Sequence, residues 1–175
     1  MVEFAVVFGL LLTIALGAFE YGMLFRDWLS VTVSAREGAR VGASAGTITN
    51  ADCVILEASA GALQSLTSGQ VEHIAIYRSS PPGSFPGNTS SFTKRYRPAN
   101  SETPDLTCSG GSEWIIVHGG SSWDPSDRDN DGDDADWIGV RVEFAHTWMT
   151  NFLWFSGTAQ FADDAVFRLE PPAPS

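Results

Sequence analysis

The sequence predicts an α+β fold in which one long N-terminal helix packs on a small antiparallel β-sheet. Two observations support this prediction. No proline occurs in residues 1–46, so a single helix can run through them. Several later segments alternate apolar and polar residues with the period of a strand. We therefore divide the 175-residue chain into a helix over residues 1–46 and a globular α+β domain over residues 47–175.

The front of the helix is apolar enough to enter a membrane. Residues 4–19 carry no charge, and the apolar run continues past Glu20 to residue 25. As a helix, residues 4–25 would span about 33 Å, and a bilayer core is about 30 Å thick. A removable signal peptide would carry a positive segment in front, which is missing here. An ordinary membrane anchor remains an alternative, although the acids Glu3 and Glu20 are costly within or beside the run.

The rear of the helix has small residues at four-residue spacing. Ala35, Ala39 and Ala43 form one such series, and Gly38 and Gly42 belong to a second series that ends at Gly46. Residues four apart lie on the same side of a helix. The spacing predicts that another element approaches the helix backbone closely along this side.

The two ends of the chain resemble the TadE/TadG-like pilins of the tight-adherence (Tad) branch of type IV pili. The matching motifs at the front are Val2-Glu3-Phe4-Ala5, Glu20-Tyr21-Gly22 and Ala35-Arg36-Glu37-Gly38-Ala39-Arg40, and Val166-Phe167-Arg168-Leu169-Glu170-Pro171 matches at the rear. The resemblance implies a type IV pilin-like fold. It also implies that the helices of many copies bundle into the apolar core of a fibre.

Four residues are the predicted assembly residues. By the resemblance, Glu3 pairs with the N-terminal amine of a neighbouring subunit and sets the register, within the motif that also contains Phe4. The alternative is that Glu3 merely interacts with the helix dipole. Gly9 stands where the family often has proline, so it is a point where the helix could stretch. Glu20 is the second acid of the apolar run.

The globular domain is predicted to contain a second helix and several strands. Asp52 is the predicted N-cap of a helix over residues 53–66. Strands are predicted over residues 70–78, 113–118 and 137–146, and residues 160–169 could form a strand or a short helix. Residues 79–110, rich at first in Ser, Pro and Gly, are predicted to form a variable loop.

Residues 124–136 form an acidic loop with the spacing DxDxDG. Alternating carboxylates followed by a turn glycine, Gly132, are typical of a calcium loop, although no glutamate stands at the twelfth position and a strand follows. The alternative is a solvated acidic loop that keeps fibres soluble. The predicted Ca²⁺ ligands are Asp127, Asp129, Asp131, Asp133 and Asp136.

Cys53 and Cys108 are the two cysteines of the chain. Outside the cytoplasm they are predicted to form a disulfide, and two buried free thiols are the alternative. The bridge would connect the second helix to the variable loop.

Charge argues against a nucleic-acid partner. The net charge is −11, with 10 Lys+Arg against 21 Asp+Glu, and phosphate backbones demand a basic face. The basic-aromatic segment over residues 92–97 could still bind nucleic acid, could be a plain surface segment, or could meet the acidic loop of the next subunit. The sequence contains no phosphate-binding loop, nucleophile motif or HExxH, so we expect no enzyme.

Together these features predict a structural pilin subunit that polymerises through its N-terminal helix into an extracellular Tad pilus used in surface adhesion. Its partners would be copies of itself or other pilins. It would be anchored in the inner membrane before assembly. The alternative is a membrane-anchored monomeric domain outside the cytoplasm that binds calcium or a ligand, such as a minor pilin or assembly factor.

Overall fold

The computed structural model describes residues 2–63, 66, 70–150 and 156–171, without the side chains of residues 2, 3, 5 and 6. Within these residues, helix α1 spans Val2–Ala45 and helix α2 spans Ala51–Ala62. Six strands form one antiparallel sheet: β1 (Val71–Arg78), β2 (Thr93–Pro98), β3 (Leu106–Thr107), β4 (Glu113–Gly119), β5 (Trp137–Thr147) and β6 (Thr158–Arg168). Their order is β3-β4-β2-β1-β5-β6. The α+β prediction is confirmed.

Helix α1 ends where the sequence predicts. Gly46 adopts a positive φ of 54°, and its backbone N–H donates to the carbonyl of Gly42 at 3.1 Å. A glycine in this conformation is a common helix terminator because it lacks the Cβ that would clash. The chain then turns directly into helix α2.

Both helices pack on the same face of the sheet. Alternate residues of β5 are fully buried and face them: Ile138, Val140, Val142 and Phe144. Helix α1 lies beside α2 and crosses β5 and β6. Its contribution to the core is mostly small side chains, whereas α2 contributes Ile55 and Leu56. The result is two layers, with the hydrophobic core between them.

Two local predictions need correction, and a third is left open by the sequence. Residues 79–110 contain strands β2 and β3 rather than loop alone. In β2, Thr93 and Tyr96 are buried, and a register shift between Arg95 and Tyr96 interrupts the two-residue alternation that would reveal a strand. Helix α2 has Asn50 rather than Asp52 at its N-cap and ends at Ala62. Residues 160–169, left open between strand and helix, lie mostly in strand β6.

Candidate functional site

Helix α1 divides into a front half, residues 4–25, and a rear half, residues 26–45. Most large apolar side chains described in the front half are exposed; Phe4 is 73% exposed and Leu10 is 62% exposed. In the rear half, Val31, Ala35 and Ala39 are fully buried. The helix is long and apolar enough to cross a membrane. The front half therefore projects from the domain as an apolar surface that the described part of the chain does not cover.

The predicted assembly residues occupy different environments. Glu3 lies in helix α1, but its side chain is outside the described residues. The ring of Phe4 stacks on Phe8, with centroids 6.0 Å apart. Gly9 has open space where a Cβ would lie. Phe4 and Gly9 therefore stand on a surface that is free to contact lipid or another chain.

Glu20, in contrast, is buried within the molecule. Its carboxylate accepts backbone N–H groups from Thr150 at 2.5 Å and from Met149 at 3.3 Å. Its side chain is fully buried. These bonds compensate an acid placed at the end of an apolar run. The structure thus gives Glu20 an intramolecular role, which is to hold the segment after β5 against the helix.

A second buried carboxylate, that of Asp27, lies further along α1 and also binds the domain. Asp27 lies 2.8 Å from Nδ1 of His146, and both side chains are buried. The edge of the His146 ring meets Trp148 at 5.0 Å between centroids. No local pattern in the sequence indicates this pair, because 119 positions separate the two residues. Glu20 and Asp27 lie seven residues apart, a spacing that places both on one helix face and could have indicated a shared partner.

The small residues of the rear half allow the close approach that their spacing predicts. Ser34 donates a hydrogen bond to the carbonyl of Ser59 in α2 at 2.9 Å. A Cβ built on Gly38 would lie 2.1 Å from Oγ of Ser59, and one on Gly42 would lie 2.9 Å from Ile138. The side of α1 that carries these residues is therefore occupied by its own domain.

The acidic loop does not gather its carboxylates around one point. Asp136 is buried and faces inward, where it accepts the indole N–H of Trp123 at 2.8 Å and pairs with Arg78 at 2.6 Å. Asp129 accepts the backbone N–H of Asp131 at 2.9 Å. Residues 125–127 and 132–134 form short 3₁₀ turns. Among the described residues, no group of three or more His, Cys, Asp or Glu side chains is placed to hold a metal ion.

The basic segment over residues 92–97 is occupied by intramolecular partners. Lys94 pairs with Asp52 at 3.1 Å and with Asp124 at 2.5 Å. Arg95 pairs with Glu143 on the outer face of the sheet, and Arg97 pairs with Glu102 at 2.6 Å. Lys94 and Asp124 join this segment to the acidic loop within one chain, whereas the predicted contact with the acidic loop of the next subunit stays a prediction.

Asp52 is the centre of a buried charge cluster between α2, β2 and the acidic loop. It accepts hydrogen bonds from Lys94, from Tyr96 at 2.9 Å and from Arg128. Burial alone would raise the pKa of Asp52, but the charges of Arg128 and Lys94 outweigh it and hold the pKa below its ordinary value of 3.8. Arg128 also lies over the Trp123 ring, 4.6 Å from its centroid. The cluster fixes the acidic loop to the helical layer.

The predicted disulfide is confirmed. Cys53 of α2 and Cys108, after β3, are bonded, with their Cα atoms 5.4 Å apart. The bond ties the far edge of the sheet to helix α2.

Comparison with known proteins supports the resemblance found in the motifs. Residues 1–40 match the family model of TadE-like protein, a segment that covers most of α1. The sheet and the acidic loop lie outside this match. No curated protein and no solved structure matches the chain. The match and the apolar helix fit a protein associated with the Tad pilus in the cell envelope.

Proposed function

We propose that the chain is a structural pilin subunit that polymerises through helix α1 into an extracellular Tad pilus used in surface adhesion. Copies of the chain, or other pilins, are its partners. Before assembly the front half of α1 anchors it in the inner membrane. The proposal assigns it no catalytic activity.

The observation that supports this proposal best is the uncovered front half of α1. Burying one large aliphatic or aromatic side chain contributes about 1.5–3 kcal/mol. Ten such side chains described in this segment are exposed: Phe4, Val7, Phe8, Leu10, Leu11, Leu12, Ile14, Phe19, Tyr21 and Phe25. Leaving them all in water is untenable, so the segment needs lipid or other helices around it. A helix that meets lipid first and its own copies afterwards satisfies this need in both states.

Glu3 is proposed to set the register of the fibre. In an apolar fibre core, a carboxylate is tolerable only when it is paired, and the N-terminal amine of a neighbouring copy would be its partner. Removing one member of such a buried pair costs about 3–5 kcal/mol. Glu20 cannot replace it, because its carboxylate is already bonded to backbone groups of its own chain.

Negative-stain electron microscopy of cells that carry a Tad assembly machinery tests the proposal. Cells that express the unaltered chain should carry fibres that contain it, as judged by immunogold labelling. Glu3→Ala should abolish the fibres and leave the protein in the membrane fraction. Glu113→Ala, which removes an exposed acid of the domain, is the matched control and should leave fibres intact.

Two outcomes would contradict the proposal. Fibres that form normally from Glu3→Ala would refute the register role. If the unaltered chain never enters fibres and purifies only as dispersed micelles, the chain is a monomeric anchored domain, such as a minor pilin or assembly factor.

A further inference from the structure

Nearly all the basic side chains of this acidic protein are already engaged. The chain has 10 Lys+Arg, and within the described residues every one except Arg26 and Arg36 makes an ion pair or a hydrogen bond. The engaged side chains are those of Arg40, Arg78, Lys94, Arg95, Arg97, Arg128, Arg141 and Arg168. Arg26 and Arg36 both lie on α1 and are exposed. Their charges are available for a partner outside the described chain.

Arg36 belongs to the side of α1 that faces away from the domain. Leu29, Val33, Arg36 and Arg40 follow one another at three- and four-residue spacing and are all exposed; we call them the outer stripe. Such spacing keeps residues on one helix face. The buried residues Ser34, Gly38 and Gly42 lie on the opposite face. Toward the front, the outer stripe continues into exposed apolar residues such as Phe25 and Ile14.

The height of Arg36 along the helix separates it from lipid headgroups. Arg36 lies 11 positions after residue 25, where the apolar front half ends, which corresponds to about 17 Å of helix. The headgroup zone on each side of a bilayer core is only about 5–8 Å thick. Arg26 directly follows the front half and therefore lies at the level of the headgroups. The partner of Arg36 must therefore be a protein surface rather than a lipid phosphate.

A second copy of the chain offers a surface of the required charge. Asp131, Asp133 and Asp134 are exposed, and their side chains make no ion pair within the described residues. They lie beside the end of α1, since Asn130 approaches Gly46 and Arg168 bonds to the carbonyl of Gly132. Residues 36 and 46 are about 15 Å apart along the helix. A neighbouring copy displaced by about that distance would bring its acidic turn level with Arg36.

We propose that Arg36, on the outer stripe, binds the acidic turn Asp131, Asp133 and Asp134 of a second copy and fixes the axial offset between contacting subunits. This inference rests on the proposed function, since it assumes that copies meet along α1. The apolar part of the outer stripe supplies nonspecific contact area, while the charge pair distinguishes one offset from the others. Opposite charges across an interface select the correct arrangement, and like charges oppose it.

Charge reversal with rescue tests the inference in piliated cells. Arg36→Glu should lower fibre yield by about tenfold or more, because it places like charges in contact. Combining it with Asp133→Lys and Asp134→Lys should restore most of the yield. Arg97→Glu changes the net charge equally and affects an exposed intramolecular pair, so it is the matched control and should leave the yield near that of the unaltered chain. Because Arg36 is exposed and makes no ion pair or hydrogen bond within the described residues, the melting temperature of the purified protein should not change in Arg36→Glu.

Each result has a distinct meaning. Normal yield from Arg36→Glu overturns the inference but leaves the pilin function standing. Loss of fibres that the lysine substitutions fail to restore overturns the acidic turn as the partner. Absence of fibres from the unaltered chain contradicts the proposed function itself, before any variant is compared.

Discussion

Residues 4–19 and residues 31–43 belong to the same helix α1, yet most described side chains of the first segment are exposed, whereas one side of the second is packed in the core. They differ in side-chain size. The front segment carries the large side chains of Phe, Leu and Ile, which need apolar surroundings. The packed side of the rear segment carries Ala, Gly and Ser, whose small side chains allow a neighbouring helix to approach closely. The same secondary structure thus supports a contact within the chain and, by the proposed function, a contact with lipid or other copies.

At the boundary between the two halves, two acidic side chains of α1 bind the domain. Glu20 binds backbone N–H groups of the segment that follows β5, and Asp27 binds His146 near the end of β5. These bonds attach the end of the domain to the helix at the level where it leaves its packed region. The domain therefore stands at a fixed height on α1, and any membrane or fibre contact of the front half fixes the domain as well.

Asp52→Asn is expected to have the largest effect, because it should destabilise the domain without affecting the front half of α1. Removing this charge leaves the buried Arg128 without its counter-charge, which costs about 3–5 kcal/mol of unfolding free energy. The front half takes no part in the cluster, so membrane retention should stay unchanged. Thermal unfolding in detergent and membrane fractionation measure the two effects. Glu102→Ala, which breaks the exposed pair with Arg97, is the control and should have little effect on unfolding.

The same cluster predicts a dependence on pH. The pKa of Asp52 is lower in the folded chain than its ordinary value of 3.8. Its contribution to stability is therefore complete above about pH 4 and is lost as the pH falls through the folded-state pKa. The unaltered chain should lose stability over this acidic range more steeply than Asp52→Asn. Equal slopes for the two proteins would show that Asp52 is not charged in the fold.

A glycine pair tests the comparison at the level of single atoms. A Cβ on Gly38 would lie 2.1 Å from Oγ of Ser59, whereas a Cβ on Gly22 would have nothing within 4 Å. We expect Gly38→Ala to destabilise the domain by about 1–3 kcal/mol through overpacking, partly offset by the better helix propensity of alanine. Gly22→Ala should be neutral or slightly stabilising. Thermal unfolding of the two variants decides this.

Adding Ser59→Ala provides the control for Gly38→Ala. The hydroxyl of Ser59 is buried and has no hydrogen-bond partner in the part of the chain that the structure describes, so its own loss should cost little. The double variant should recover most of the stability lost in Gly38→Ala. If it does not, the close contact between the helices is not the cause of the loss.

How far the sequence predicts the molecule depends on whether a feature is local. The absence of proline and the glycine at position 46 predict the extent of α1 to within about a residue, and the alternation over residues 137–146 predicts β5. Spacing also predicts that the rear half is closely packed, but not that α2 is the element that packs there. The charge cluster around Asp52 and the Asp27–His146 pair join residues 42 to 119 positions apart, and no local pattern reveals them.

The basic segment over residues 92–97 shows the same limit: its sequence does not reveal its long-range partners. Its composition suggests a basic surface that could bind the acidic residues of another molecule. The chain is itself rich in acidic residues. Only the fold shows that Lys94, Arg95 and Arg97 are already paired, and that the unengaged arginines stand on α1 instead. Local charge is readable from sequence, whereas its neutralisation depends on the tertiary arrangement.

The smallest expected effect is that of calcium on the stability of the fold. The acidic loop that would bind calcium lies beside the C-terminal end of α1. Calcium binding by residues 124–136 stays a prediction. The fold reduces the set of carboxylates that could bind the ion, because Asp136 is already paired with Arg78 and Asp124 with Lys94. The exposed Asp127, Asp131 and Asp133 would supply the oxygens for a weak site, with Kd on the order of 1 mM as in extracellular modules. At about 10 mM Ca²⁺, such a site would stabilise the fold by about 1.4 kcal/mol and raise the melting temperature by about 3–5 °C. The variant with Asp131→Asn and Asp133→Asn should lose this increase, and Mg²⁺ at the same concentration should give less of it. An unchanged melting temperature with Ca²⁺ would mean that the loop is only a solvated acidic surface.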